Sequence, residues 1–151
     1  MLRETLTQSL KDAMKAKEVR RISTLRLILA ALKDRDIASR TRADGAGVAE
    51  EEILQMMQTM IRQRRESIAL YERGGRLDLA AQEQEEIVII EGYLPRQMSE
   101  DEIRAVGQQI VGEIGAKGIK DMGRVMAALK QRYAGRLDAG KASTIVKSML
   151  S

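Results

Sequence analysis

Apolar residues recur along the chain at helical spacing. Leu2, Leu6, Leu10 and Met14 repeat every four residues, as one face of a helix does. The polar run Lys15-Ala16-Lys17-Glu18 either continues that helix or breaks it. Val19, Ile22, Leu25, Ile28, Leu29 and Leu32 mark a second stripe that runs to about Ile37. Residues 38–48, rich in Gly and small polar side chains, read as a mobile loop that buries little. Glu50, Glu51 and Glu52 then suit a helix N-terminus, where the backbone dipole favours negative charge. The stripe Ile53, Met56, Met57, Met60, Ile61, Ile68 and Tyr71 predicts a third helix, ended at Gly74-Gly75, and a fourth runs from about Arg76 to Glu91. Ile87-Val88-Ile89-Ile90 is strand-like in isolation, but no second such run exists to pair with it. It is read as a helix end that must be covered on every side.

The stretch from Glu91 to Ser99 interrupts this pattern and holds the one proline, Pro95. Proline lacks an N–H and disfavours helical geometry in the residue before it. Gly92 offers a positive φ to close the preceding helix. Ser99 and Glu102 have the spacing of a capping box, so a new helix opens there. Ile103, Val106, Ile110, Val111 and Ile114 predict a fifth helix ended by Gly115, with Gly118 closing the next turn. Met122, Val125, Met126, Leu129 and Tyr133 predict a sixth. Asp138 caps a seventh that turns Ala142, Ile145, Val146, Met149 and Leu150 inward. The expectation is an all-α protein with a four-helix N-terminal domain, 1–92, and a three-helix C-terminal domain, 93–151, joined at a Pro-containing hinge.

Composition narrows the chemistry. Phe and Trp are absent, so the core is aliphatic and Met-rich. No apolar run approaches the ~20 residues that span a bilayer, and no signal peptide is read at the N-terminus. A cytoplasmic location is expected. Absence of Cys excludes disulfides and thiol chemistry; absence of His removes the commonest neutral-pH base and nearly every zinc site. No Gly-rich nucleotide cradle is present. Neither a metal nor a cofactor is expected. Glu83, Glu85 and Glu86 cluster on the fourth helix, with Glu83 and Glu86 on one face. They read either as a solvated, paired face or as a carboxylate site.

Charge is uneven. Residues 1–92 carry 16 Lys+Arg and 16 Asp+Glu, whereas 115–147 carry 8 basic and 2 acidic residues. Such a surplus attracts phosphate, and ordinary solvated surface also produces it. Placed on a helix, Lys120 and Arg124 stand opposite the apolar stripe beside Gly123 and Ala127. That arrangement lets a phosphate backbone approach closely; alternatively, Gly123 permits tight helix packing. Arg136 falls next to the N-terminal N–H groups of the seventh helix, a place where anions bind. The candidate RNA contacts are Lys117, Lys120, Gly123, Arg124 and Arg136.

The order of several segments resembles the YqeY-like proteins of the GatB/YqeY family. They are Met14-Lys15-Ala16-Lys17, Thr24-Leu25-Arg26, Arg62 to Ile68, Gly75-Arg76, Tyr93-Leu94-Pro95 and Lys120 to Met126. The resemblance spans about 1–150. It implies a helical protein in two parts whose tail is similar to the end of the B subunit of the glutamine-dependent tRNA amidotransferase. There the tail helps hold tRNA. The last loop departs from the family pattern, with Leu137-Asp138-Ala139 and Ser143 in place of Ala-Asp-Gly and a later Asn. Three readings follow: a non-catalytic tRNA-binding module assisting amidation or aminoacylation, with a translation-related protein partner; a carbon–nitrogen ligase using glutamine as amido donor; or a protein-interaction adaptor using the Ile87–Ile90 end.

Overall fold

The computed structural model describes residues 1–40 and 47–151. The described residues form seven α-helices and no strand: α1 Leu2–Ala16, α2 Val19–Ser39, α3 Glu50–Arg73, α4 Leu77–Glu91, α5 Glu100–Ile114, α6 Met122–Arg132 and α7 Ala139–Leu150. A 3-10 turn, Ile119–Asp121, precedes α6. The all-α expectation is met. By packing, the chain divides into two units, Met1–Leu94 and Pro95–Ser151.

In the first unit, α1 ends where its polar run begins. Lys17 adopts the left-handed conformation at φ 56°. The Glu18 N–H reaches back to the Ala13 carbonyl at 3.0 Å, as in a Schellman cap. A four-residue repeat advances about 40° per step against the 3.6-residue turn. After three steps the stripe has swung off the core, so Ala13 is buried and Met14 is 49% exposed. Val19, expected in the second stripe, is also exposed, and Leu25, Ile28 and Leu32 form the buried face of α2. Thr24 is buried there as well; its hydroxyl donates to the Arg20 carbonyl at 2.8 Å and so is satisfied within the helix.

Helix α3 supplies the centre of the core. Ile53, Met56, Met57, Met60 and Ile61 are all buried and pack with Ile87 and Ile90 of α4. The apolar end of α4 is not sealed all round, as Val88 is 59% exposed. Gly92 closes α4 without a positive φ; its φ is −61°, and the chain tightens through bonds from the Tyr93 N–H to the Ile90 carbonyl and from the Leu94 N–H to the Glu91 carbonyl. Tyr93 and Leu94 pack against this first core. The Tyr93 hydroxyl accepts from Arg21 Nη2 at 2.6 Å, and that guanidinium lies 5.5 Å from the ring centroid.

The expected loop at 38–48 is corrected at both ends. Ala38 and Ser39 belong to α2, and Val48 is buried; its middle, 41–46, lies outside the described residues. Val48 is held on both sides of its peptide. Its N–H donates to Asp36 Oδ1 at 3.0 Å, and its carbonyl accepts from Arg3 Nη2 at 2.9 Å. Arg3 and Asp36 complete the clip through paired bonds of 2.5 and 2.7 Å. The Arg3 guanidinium holds the Asp36 carboxyl down at about 2. A Cβ on Gly47 would come within 2.8 Å of both Asp36 Oδ1 and Arg3 Nη2, so a larger residue there would push the ends of this pair aside.

The second unit is a three-helix arrangement around Ile103, Ile110, Val125, Leu129, Ala142 and Val146. The capping box forms: Ser99 Oγ accepts from the Glu102 N–H and Glu102 Oε1 accepts from the Ser99 N–H, both at 3.2 Å. Asp138 caps α7 through the N–H groups of Gly140 and Lys141. Residues 95–98 are more firmly held than a proline-interrupted linker suggests. The Met98 N–H donates to the Arg136 carbonyl at 2.9 Å, and Gln97 Nε2 donates to the Gly135 carbonyl at 2.7 Å.

The carboxylate cluster of α4 resolves into two separate pairings. Glu85 faces Arg20 of α2, Nε to Oε2 at 3.0 Å. Glu86 is buried and accepts from Arg64 Nε of α3 at 3.0 Å, while Glu83 sits 3.9 Å from the same nitrogen. One buried and one largely buried carboxylate therefore share one guanidinium. Burial, and then the charge of Glu86, push the Glu83 carboxyl up.

Two stability measurements check this packing. Lys17→Gly removes the strain of a side chain in left-handed backbone and should raise unfolding free energy by about 1 kcal/mol in urea titration. Glu86→Ala removes the nearer of the two carboxylates on Arg64 and should cost about 2 kcal/mol, whereas Glu83→Gln should be neutral or stabilising. Because Glu83 holds its proton more tightly when folded, unfolding releases that proton, and stability falls as pH rises through the carboxylate range. Glu83→Gln should flatten that fall.

Candidate nucleic-acid interface

Gly115 ends α5 in the left-handed region at φ 72°, its N–H bonded to the Val111 carbonyl at 3.0 Å. The chain then runs through Ala116, Lys117 and Gly118 into the 3-10 turn. Gly118 has φ −175°, an extended conformation that any residue adopts, so it is no special turn closer. Asp121 ends the 3-10 turn and its carboxylate folds back over it. Oδ2 accepts from the Lys117 N–H at 2.9 Å, and Oδ1 accepts from Arg124 Nη1 at 3.4 Å. The Lys117 N–H, and after it the charges of Arg124 and Lys120, hold the Asp121 carboxyl below its ordinary value. Two cations, Lys120 and Arg124, thus act on one half-buried carboxylate that also holds the Lys117 backbone, and the exposed Lys117 side chain leaves the surface net positive.

Lys120 reaches this place by a different route from the one its spacing implied. It lies in the 3-10 turn, before α6 begins at Met122, so a helical wheel of α6 does not position it. Arg124 is on α6 and its side chain is 64% exposed. Gly123, in the first turn of α6, is also exposed, and a Cβ added there would meet nothing within 4 Å. Tight helix packing therefore does not explain this glycine. It leaves the backbone of the first turn of α6 open between Lys120 and Arg124. Ile119, 46% exposed, adds one apolar side chain to the same turn.

Arg136 is employed elsewhere. Its Nε donates to the Arg96 carbonyl at 3.1 Å and its Nη2 lies 4.0 Å from Glu102 Oε2. Arg96 grips the same carboxylate with two nitrogens at 3.1 and 2.9 Å. The paired Arg96 contact, with the Ser99 N–H, holds the Glu102 carboxyl down at about 2. The N–H groups at the start of α7, beside which Arg136 was expected to offer an anion site, are taken by Asp138. Sequence reading missed the organising role of Asp121. An Asp just before a helix signals a cap, yet its side chain makes no capping bond and turns to Lys117 instead.

Among the described residues no group of His, Cys, Asp and Glu could hold a metal ion, and no helix is long and apolar enough to cross a membrane.

Comparison with known proteins bears on the whole chain. Curated relatives carry the name "Altered inheritance of mitochondria protein 41, mitochondrial". The one from Lachancea thermotolerans is 33% identical over 111 residues, 72% of this chain and 57% of the relative. Those from Eremothecium gossypii and Kluyveromyces lactis are each 35% identical, over 89 and 88 residues, covering 59% and 58% of this chain. The chain spans about half the length of the curated relatives it matches. The family model described as "Yqey-like protein" matches residues 3–150. A match of that extent, over a chain whose described residues are helical throughout its elements, shows that this protein belongs to the YqeY-like family.

Proposed function

We propose that this chain is a non-catalytic RNA-binding helical module that takes a structured RNA such as tRNA. In this reading a four-helix part and a three-helix part meet at a hinge near Pro95, and the three-helix part carries the contact. The observation that supports it best is the placing of Lys120 and Arg124 about Asp121, with Lys117 exposed in the turn before them and the surface at Gly123 left open. Such a face offers charge and close approach without aromatic stacking, so recognition rests on phosphate and shape. A role in tRNA-dependent amidation or aminoacylation, with a translation-related protein partner, follows from the resemblance to the amidotransferase tail. The sequence has no His, no Cys and no nucleotide loop, which favours a module over an independent carbon–nitrogen ligase.

The test is a titration of tRNA at several salt concentrations. Phosphate contacts release counterions, so log affinity should fall with log salt by about 0.9 per contact, for roughly three to five contacts. Lys120→Ala with Arg124→Ala should reduce that slope by about one to two units while circular dichroism is unchanged. Arg136→Ala should behave differently, lowering stability by about 1 kcal/mol through loss of the Arg96 and Glu102 contacts while the slope stays near wild type. Equal slopes in wild type and the double variant would overturn the proposal.

A further inference from the structure

The first unit has a groove of its own, a cavity of about 270 Å³ between α1 and α2. Its walls are Arg3 and Thr7 of α1, a line of α2 residues from Leu29 to Ile37, and Arg40 just past the end of α2. Leu32 closes the floor, and Ile37, 46% exposed, stands at the side. From Leu29 to Arg40 is eleven steps, or about 16 Å of helix at 1.5 Å per residue. The groove is therefore some three turns long and runs along a helix pair, with an apolar base and charged edges.

Its net charge is positive, with Arg3, Lys33 and Arg40 against one acid, Asp36. Asp36 is bonded to Arg3 and the Val48 N–H, and the charge of Arg40 also acts on it from a longer distance. Lys33 and Arg40 line the same groove, are exposed, and form no ion pair among the described residues. A groove of this shape and charge matches one kind of occupant.

We propose that the α1–α2 groove docks an acidic amphipathic helix of a partner protein. Its apolar side chains enter over Leu29, Leu32 and Ile37, and its carboxylates meet Lys33 and Arg40. Length and apolar base are what helix-in-groove recognition uses. A nucleic-acid backbone would satisfy the two cations and leave the apolar base uncovered, so a peptide is the better match. This inference is independent of the RNA-binding face, which is built by other residues on the other unit.

The probe is a synthetic helix of about fifteen residues, Glu-rich, with Leu at i, i+4, i+7 and i+11. It is titrated into the full-length, isotope-labelled protein and followed by amide chemical shifts and anisotropy. Saturable shifts at Arg3–Thr7 and Leu29–Arg40, with micromolar-class affinity, are expected. Lys33→Glu with Arg40→Glu should weaken binding about tenfold or more, and Ile37→Ser should weaken it about fivefold. Both sites are exposed, so the circular dichroism of the variants should match wild type. A Lys-for-Glu version of the peptide should not bind. The proposal is overturned by absence of shifts at about millimolar peptide, by shifts centred elsewhere, by unchanged affinity in the charge-reversed variant, or by tRNA or inorganic phosphate shifting the groove residues more strongly than the peptide does.

Discussion

The first unit depends on burial of one stripe, that of α3. Ile53, Met56, Met57, Met60 and Ile61 lie on it, and full burial of such side chains contributes about 1.5–3 kcal/mol each. No Phe or Trp is present to fill space in bulk, so thin aliphatic and thioether chains must interdigitate closely. Helix α4 answers with Ile87 and Ile90. The same seam then has to accommodate the charge of Arg64, 13% exposed, whose guanidinium lies over Glu86. Burying that pair is tolerable because Arg64 also donates to the Met60 carbonyl at 3.1 Å and so is hydrogen-bonded twice.

The same economy of acids runs through both units. Asp36 joins Arg3 to the backbone of Val48, Glu102 joins a helix cap to Arg96, and Asp121 joins the Lys117 backbone to Arg124. In each case one carboxylate accepts from a backbone N–H and from a guanidinium together, which is why all three carboxyls are held in the ionised form. These acids fasten turns and helix starts. The exposed charge around them is cationic: Lys120 and the outer nitrogens of Arg124 lie near a glycine surface, and Lys33 and Arg40 border an apolar groove.

That contrast separates the functional readings. A patch of cations on an open glycine surface suits an extended polyanion, whereas cations bordering apolar side chains suit an amphipathic segment. Within the α4 carboxylate cluster, Glu85 pairs with Arg20, and Glu86 and Glu83 share Arg64.

Much of the fold was legible because it depends on local rules. Helical spacing located the seven helices, the Ser99–Glu102 spacing identified a capping box, Asp138 a helix cap and Gly115 a helix end; each uses residues within a turn or two. The spacing of Leu2 to Met14 misled only at its end, where a repeat of four drifts from a period of 3.6. Residues far apart in the chain escaped such rules. Nothing local marks Arg3 as the partner of Asp36, Gly47 as the glycine that passes between them, or Arg136 as a brace for Arg96. Nor could spacing show that Lys120 precedes its helix, since a 3-10 turn and an α-helix share their residue preferences and differ in geometry. The sequence by itself determined where the seven helices lie and most of the face each one buries, because both follow from periodicity and caps; the misses at Met14, Val19, Ala38, Ser39 and Lys120 fall at helix ends. Only the tertiary structure decided which charges are consumed and which stay free, because that depends on pairings made across helices that no spacing encodes.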